Sequence, residues 1–197
     1  MKKIAISVIL AVVLVGLLTT PILAKDLEKG KSAMSGKSDT GHLYLFEKDP
    51  ADWSLVVDGA WGKFNYKLSG SGSETEVSGV FNGHGLVPGT EYTLINYVEP
   101  ALNPWPDGGV AVVVLGNGKV NDGGDIHISA QGTIGEPDEQ PAIGDYVGQT
   151  GDKIWLVLTT DITQLAEPDA DGYTSHITGW NPTEYLFEYR LINTGTP

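Results

Sequence analysis

From His42 to its end the chain shows no window with a sustained helical stripe, which argues against helix-based folds before any motif is considered. Short runs of β-branched, aromatic and aliphatic residues recur instead, parted by Gly, Pro, Asn and Asp. The spacing predicts strands over 43–47, 53–57, 63–69, 76–81, 92–97, 110–115, 125–130, 153–159 and 185–192. Residues 110–115 (Val-Ala-Val-Val-Val-Leu) and 154–158 (Ile-Trp-Leu-Val-Leu) are apolar on both faces, as central strands of a covered sheet are. The last run alternates, with Tyr185, Phe187, Tyr189 and Leu191 on one face and Glu188 and Arg190 on the other. Residues 160–165 alone suit a helical turn, with Thr160 or Asp161 as its cap. About nine short strands joined by Gly-rich turns predict an all-β fold, a sandwich or a barrel; a single antiparallel two-sheet β-sandwich over residues 41–197 is the expectation.

Composition removes several function classes. The chain has no Cys, so disulfide frameworks, thiolate zinc sites and cysteine nucleophiles are excluded. A formal charge of −13, from 12 Lys+Arg against 25 Asp+Glu, argues against nucleic acid as a partner, because neutralising phosphates needs surplus cations. Hydrophobic content of 41% is too high for a disordered chain.

The first 24 residues read as an address. Lys2 and Lys3 precede an apolar run from Ile4 to Leu18, and Ile22-Leu23-Ala24 leads into Lys25-Asp26. This is the three-part pattern of a secretory signal peptide, with cleavage expected after Ala24. An uncleaved anchor is the competing reading, but a run of about 15 residues is short for a bilayer span of roughly 20. Residues 25–40 carry few apolar side chains and no period, and read as an exposed tether. The expected product is secreted, strongly acidic, and not inserted in a membrane once its leader is removed.

The segment Leu86-Val87-Pro88-Gly89-Thr90-Glu91-Tyr92 has the pattern L-x-P-G-T-x-Y. It resembles the tyrosine corner of fibronectin type III and other Ig-like sandwiches. The physics is local: Pro88-Gly89 turns the chain, and the Tyr92 hydroxyl reaches back to backbone near Leu86. With Asp58-Gly59-Ala60-Trp61-Gly62-Lys63 and the run from Gly179 to Glu188, the corner resembles exported, archaeal-type sandwich proteins. That resemblance implies architecture and export, and supplies no activity.

Four groups of residues are candidates for chemistry. Glu167, Asp169 and Asp171 alternate ahead of Gly172, a spacing by which a tight loop wraps carboxylates around Ca²⁺, the one cofactor the sequence suggests. The loop lacks a Glu at its twelfth position, and a solvated acidic turn is the plainer reading. Trp105, Trp180 and Trp61 stand in Pro- or Gly-flanked segments, where exposed indoles stack on sugar rings or partner side chains. The plainer reading is that they fold back onto the core. His42, His84, His127 and His176 are scattered, with no metal-ligand spacing. No G-x-S-x-G, H-E-x-x-H or phosphate loop is present, and Arg190 is the sole Arg.

The reading that follows is a secreted, non-catalytic sandwich with a binding, adhesion or structural role at the cell surface or in the matrix. Its expected partner is a glycan or a cell-surface protein. Alternatives are a carbohydrate-binding module, calcium-supported, using Trp105 and Trp180, and an extracellular hydrolase.

Overall fold

The computed structural model describes residues 40–71, 74–98, 109–134 and 151–192. The expected leader over 1–24 lies outside these, as does the expected tether over 25–40 except Thr40, which opens the first strand.

Ten strands follow in chain order: β1 (Thr40–Phe46), β2 (Trp61–Ser69), β3 (Thr75–His84), β4 (Glu91–Tyr97), β5 (Val110–Lys119), β6 (Ile126–Ile134), β7 (Lys153–Leu158), β8 (Ile162–Gln164), β9 (Ser175–Ile177) and β10 (Phe187–Glu188). They form two five-stranded antiparallel sheets, a β-sandwich: β10-β1-β2-β3-β6 (sheet 1) and β7-β4-β5-β9-β8 (sheet 2). No helix among the described residues is long and apolar enough to cross a membrane.

Alternation builds sheet 1. In β2 the inward residues Phe64, Tyr66 and Leu68 are buried, while Asn65, Lys67 and Ser69 are exposed. With Leu43, Leu45, Val77, Phe81 and Ile128 they face Leu94, Leu115, Ile154 and Leu156 of sheet 2, forming the main core. Each fully buried aliphatic or Phe side chain contributes about 1.5–3 kcal/mol of transfer free energy. Sheet 2 buries its other face too. Ile95, Tyr97, Val110, Val112 and Val157 form a second cluster there with Ile177, Tyr185 and Phe187. This is why 110–115 and 154–158 are apolar on both sides.

Both seams between the sheets are closed. On one, β5 passes so near β6 that a Cβ at Gly116 would come within 2.4 Å of the Ser129 carbonyl oxygen, so only Gly fits. On the other, Phe187–Glu188 pairs with Phe46 and Leu45 of β1. The neighbouring Leu186 exchanges two 2.9 Å backbone hydrogen bonds with Leu156 of β7, and Ile192 pairs with Asp152. One C-terminal segment thus joins an edge of each sheet, covering strand edges that would otherwise invite pairing with other chains.

Three local expectations are corrected. Residues 53–57 form part of a long β1–β2 loop, with only Leu55 bridging to Lys48. Asp49 and Asp52 accept hydrogen bonds from the Ala51 and Ser54 amides, and such side-chain turns compete with strand pairing. Residues 160–165 give no α-turn: Thr159–Asp161 is a 3₁₀ turn that passes directly into β8. Residues 185–192 are not one alternating strand. Only Phe187–Glu188 is strand, Glu188 is buried, and Tyr189 is exposed, because the segment bends to serve both sheets.

Candidate binding surfaces

The corner residues pin the turn before β4. Tyr92 is 1% exposed, and the Val87 backbone amide donates to its hydroxyl. Burial, with Glu184 nearby, pushes the phenol up to about 12. Gly89 takes φ +80°, and its amide donates to the Val120 carbonyl at 3.0 Å. Leu86 is buried and donates to the Gly124 carbonyl at 3.0 Å, while Pro88 stays exposed. Tyr185 makes a second tyrosine anchor that the sequence pattern did not reveal. Its hydroxyl donates to Asp161 Oδ2 at 2.5 Å, and Asn181 Nδ2 donates to the same oxygen at 2.8 Å.

The acidic loop is organised around one carboxylate. Asp169 Oδ1 accepts from the Asp171 amide at 3.0 Å and the Tyr173 amide at 2.8 Å. Its Oδ2 lies 2.7 Å from His176 Nε2. Burial works against the charge, but these bonds from His176, Tyr173 and Asp171 outweigh it and hold Asp169 below the usual carboxylate range. Glu167 and Asp171 stand exposed beside it. Among the described residues, no group of three or more His, Asp or Glu is placed to hold a metal ion. The alternating carboxylates lie in a turn within the β8–β9 connection.

Trp180 belongs to an aromatic cluster on the outer side of sheet 2, and Trp105 lies outside the described residues. Phe187 is the hub. Trp53 meets it edge-on at 5.1 Å, Trp155 edge-on at 5.2 Å, and Trp180 at 6.1 Å. Trp155 also stacks on Tyr97 at 4.0 Å. Trp53 and Trp180, 6.2 Å apart, keep 43% and 39% of their surface exposed. Trp53 holds φ +60°, a left-handed conformation that a bulky side chain adopts only when its surroundings enforce it. Val56 and Val57, on the same loop, are exposed as well.

Trp61 lies elsewhere, on the outer face of sheet 1. The register puts Phe46, Trp61 and His84 in one cross-strand row, and Tyr44, Lys63, Asn82 and His127 in the next. Trp61 lies 4.7 Å from His84 and 6.3 Å from Tyr44, and Lys63 Nζ stands 5.5 Å from the Tyr44 ring centre. His84 Nδ1 lies 2.7 Å from Asp125 Oδ1, and His127 Nδ1 lies 2.8 Å from Asn82 Oδ1. His42 continues the row pattern beside Tyr44 at 5.8 Å; burial and then Lys63 lower its pKa. Three of the four histidines thus share one sheet face. No family model, curated protein or solved structure matches the chain.

Sequence reasoning singled out Trp61 and Trp180 but missed Tyr44, Trp53 and Trp155. For Tyr44 a signal existed. His42, Tyr44 and Phe46 alternate with Leu43 and Leu45, and period two puts the aromatic set opposite the aliphatic one. Trp53 carried no such signal, since its position depends on a left-handed residue in a loop.

Proposed function

We propose that this chain is a secreted, non-catalytic β-sandwich that works by binding at the cell surface or in the extracellular matrix. The observation that carries this is the pair of half-exposed indoles, Trp53 and Trp180, held on a packed aromatic base. Interface energy concentrates in such preordered Trp anchors, because they contribute large apolar area with little conformational entropy to lose. Exposed Val56 and Val57 extend the apolar centre, and Asp49, Asp52 and Asp58 supply acidic groups on the same loop. That composition suits a protein partner with an apolar centre and a basic border. The resemblance to exported Ig-like proteins and the leader pattern of residues 1–24 support the location.

The test has two parts. N-terminal sequencing of material recovered outside the cell should begin at Lys25. Sedimentation with isolated cell envelopes should retain the mature protein, and Trp53→Ala and Trp180→Ala should each lower retention at least tenfold. Equal retention of both variants would remove this surface from the reading.

A further inference from the structure

The outer face of sheet 1 calls for its own account. An antiparallel sheet facing water is expected to be polar there. Lower on this face it is: Lys67 stands beside Ser78, and Ser78 beside Gln131. Two rows further stands Tyr44, and in the third row Trp61 and His84. Cross-strand ring packing stabilises a sheet by only about 0.2–1 kcal/mol per pair, and leaves the change of character at one end unexplained.

The strip has two components. Its rings are spaced 4.7 and 6.3 Å apart, a run of apolar surfaces on which planar ligand units can stack. Beside them are two fixed polar pairs, His84 with Asp125 and His127 with Asn82, each bonded through Nδ1. Nε2 of each imidazole is then the atom positioned to bond a ligand, and His127 and Asp125 are exposed. Rings alternating with oriented donors and acceptors match a molecule with apolar C–H faces and hydroxyl rims.

Charge and topology narrow the occupant. A formal charge of −13 disfavours polyanions. A peptide adding a strand needs a sheet edge, and in sheet 1 β5 lies against β6 at one edge while β10 pairs with Leu45 and Phe46 of β1 at the other. We propose that the outer face of sheet 1 is a binding site for an uncharged oligosaccharide, with Tyr44 and Trp61 stacking on its rings and the His84–Asp125 and His127–Asn82 pairs bonding its hydroxyls. This site is distinct from the Trp53–Trp180 surface and stands or falls separately.

The experiment is calorimetric titration of the mature protein with cellohexaose, mannohexaose, xylohexaose and N-acetylchitohexaose. At least one should bind saturably. Trp61→Ala and Tyr44→Ala should weaken that binding at least tenfold, and Trp180→Ala should leave it within twofold. His127→Ala, on an exposed side chain that cannot unfold the core, should weaken it three- to tenfold with an unchanged melting temperature. Trp61→Phe keeps a ring in place and should retain most of the affinity. No saturable binding to any of the four overturns the proposal. So does binding insensitive to Tyr44→Ala and His127→Ala, or binding lost through Trp180→Ala instead.

Discussion

Trp155 on sheet 2 and Trp61 on sheet 1 both project from the outward face of a strand, yet their surroundings differ. Trp155 lies against Phe187, Tyr97 and Trp180, because the chain leaves β9 and returns over sheet 2 through Trp180, Tyr185 and Phe187. Trp61, half-buried like Trp155, finds its ring neighbours Tyr44 and His84 on its own sheet. The outer face of sheet 2 carries a second core cluster, whereas that of sheet 1 keeps half-buried Tyr44, Trp61 and His84 beside exposed His127. Similar residues therefore stand in different settings: those of sheet 2 pack within a second core cluster, and those of sheet 1 lie in the rows proposed above as a binding site.

The sharpest way to break this comparison is to truncate the hub. Phe187→Ala should cost about 3–5 kcal/mol, as large buried truncations do, whereas Trp61→Ala should cost about 1 kcal/mol or less. Urea denaturation of the two variants decides it, and similar losses would mean that the two faces are not different in kind.

The seam between the faces offers a pH test. Glu188 is 3% exposed, and burial pushes its carboxyl up to about 7, against the opposing pull of Lys48, Lys153 and Trp155. The folded state then holds the proton more tightly than the unfolded one, whose value is near 4.5. This group's contribution to stability is greatest below about pH 4.5, declines as pH rises towards 7, and levels off beyond. Relative to Glu188→Gln, wild type should lose on the order of 3 kcal/mol across that window. Denaturation midpoints at pH 4.5 and 8 measure it, and parallel behaviour of the two proteins would refute it.

Tyr185→Phe probes the cover itself. It removes a hydroxyl bonded to Asp161 and to the Gly179 carbonyl, and should cost about 2 kcal/mol. Thermal unfolding monitored by near-UV dichroism of the Trp cluster would show it. The smallest effect concerns the acidic loop. With Asp169 already bonded to two amides and His176, excess Ca²⁺ or a chelator should leave the melting temperature unmoved. A rise with Ca²⁺ would restore the cation site.

Much of this could be read before folding. Short strand-like runs, some alternating and some apolar on both faces, located most of β1 to β7, and the L-x-P-G-T-x-Y segment marked the turn before β4. The three-residue β8 and β9 were not legible, because so short a run has no period. Trp180 and Trp61 stood out as Trp in Gly- or Pro-flanked segments, but nothing local said they lie on different sheets. Glu188 looked like the polar side of an alternating strand, and its burial follows from the segment bending between two sheets.

Local alternation and turn chemistry determined that the chain is all-β, since each strand's faces are set by neighbours two residues apart. Which outward face would be covered was decided only in three dimensions. Covering depends on where a distant segment returns, here the path from Ile177 to Phe187 over sheet 2, and no local period records that path.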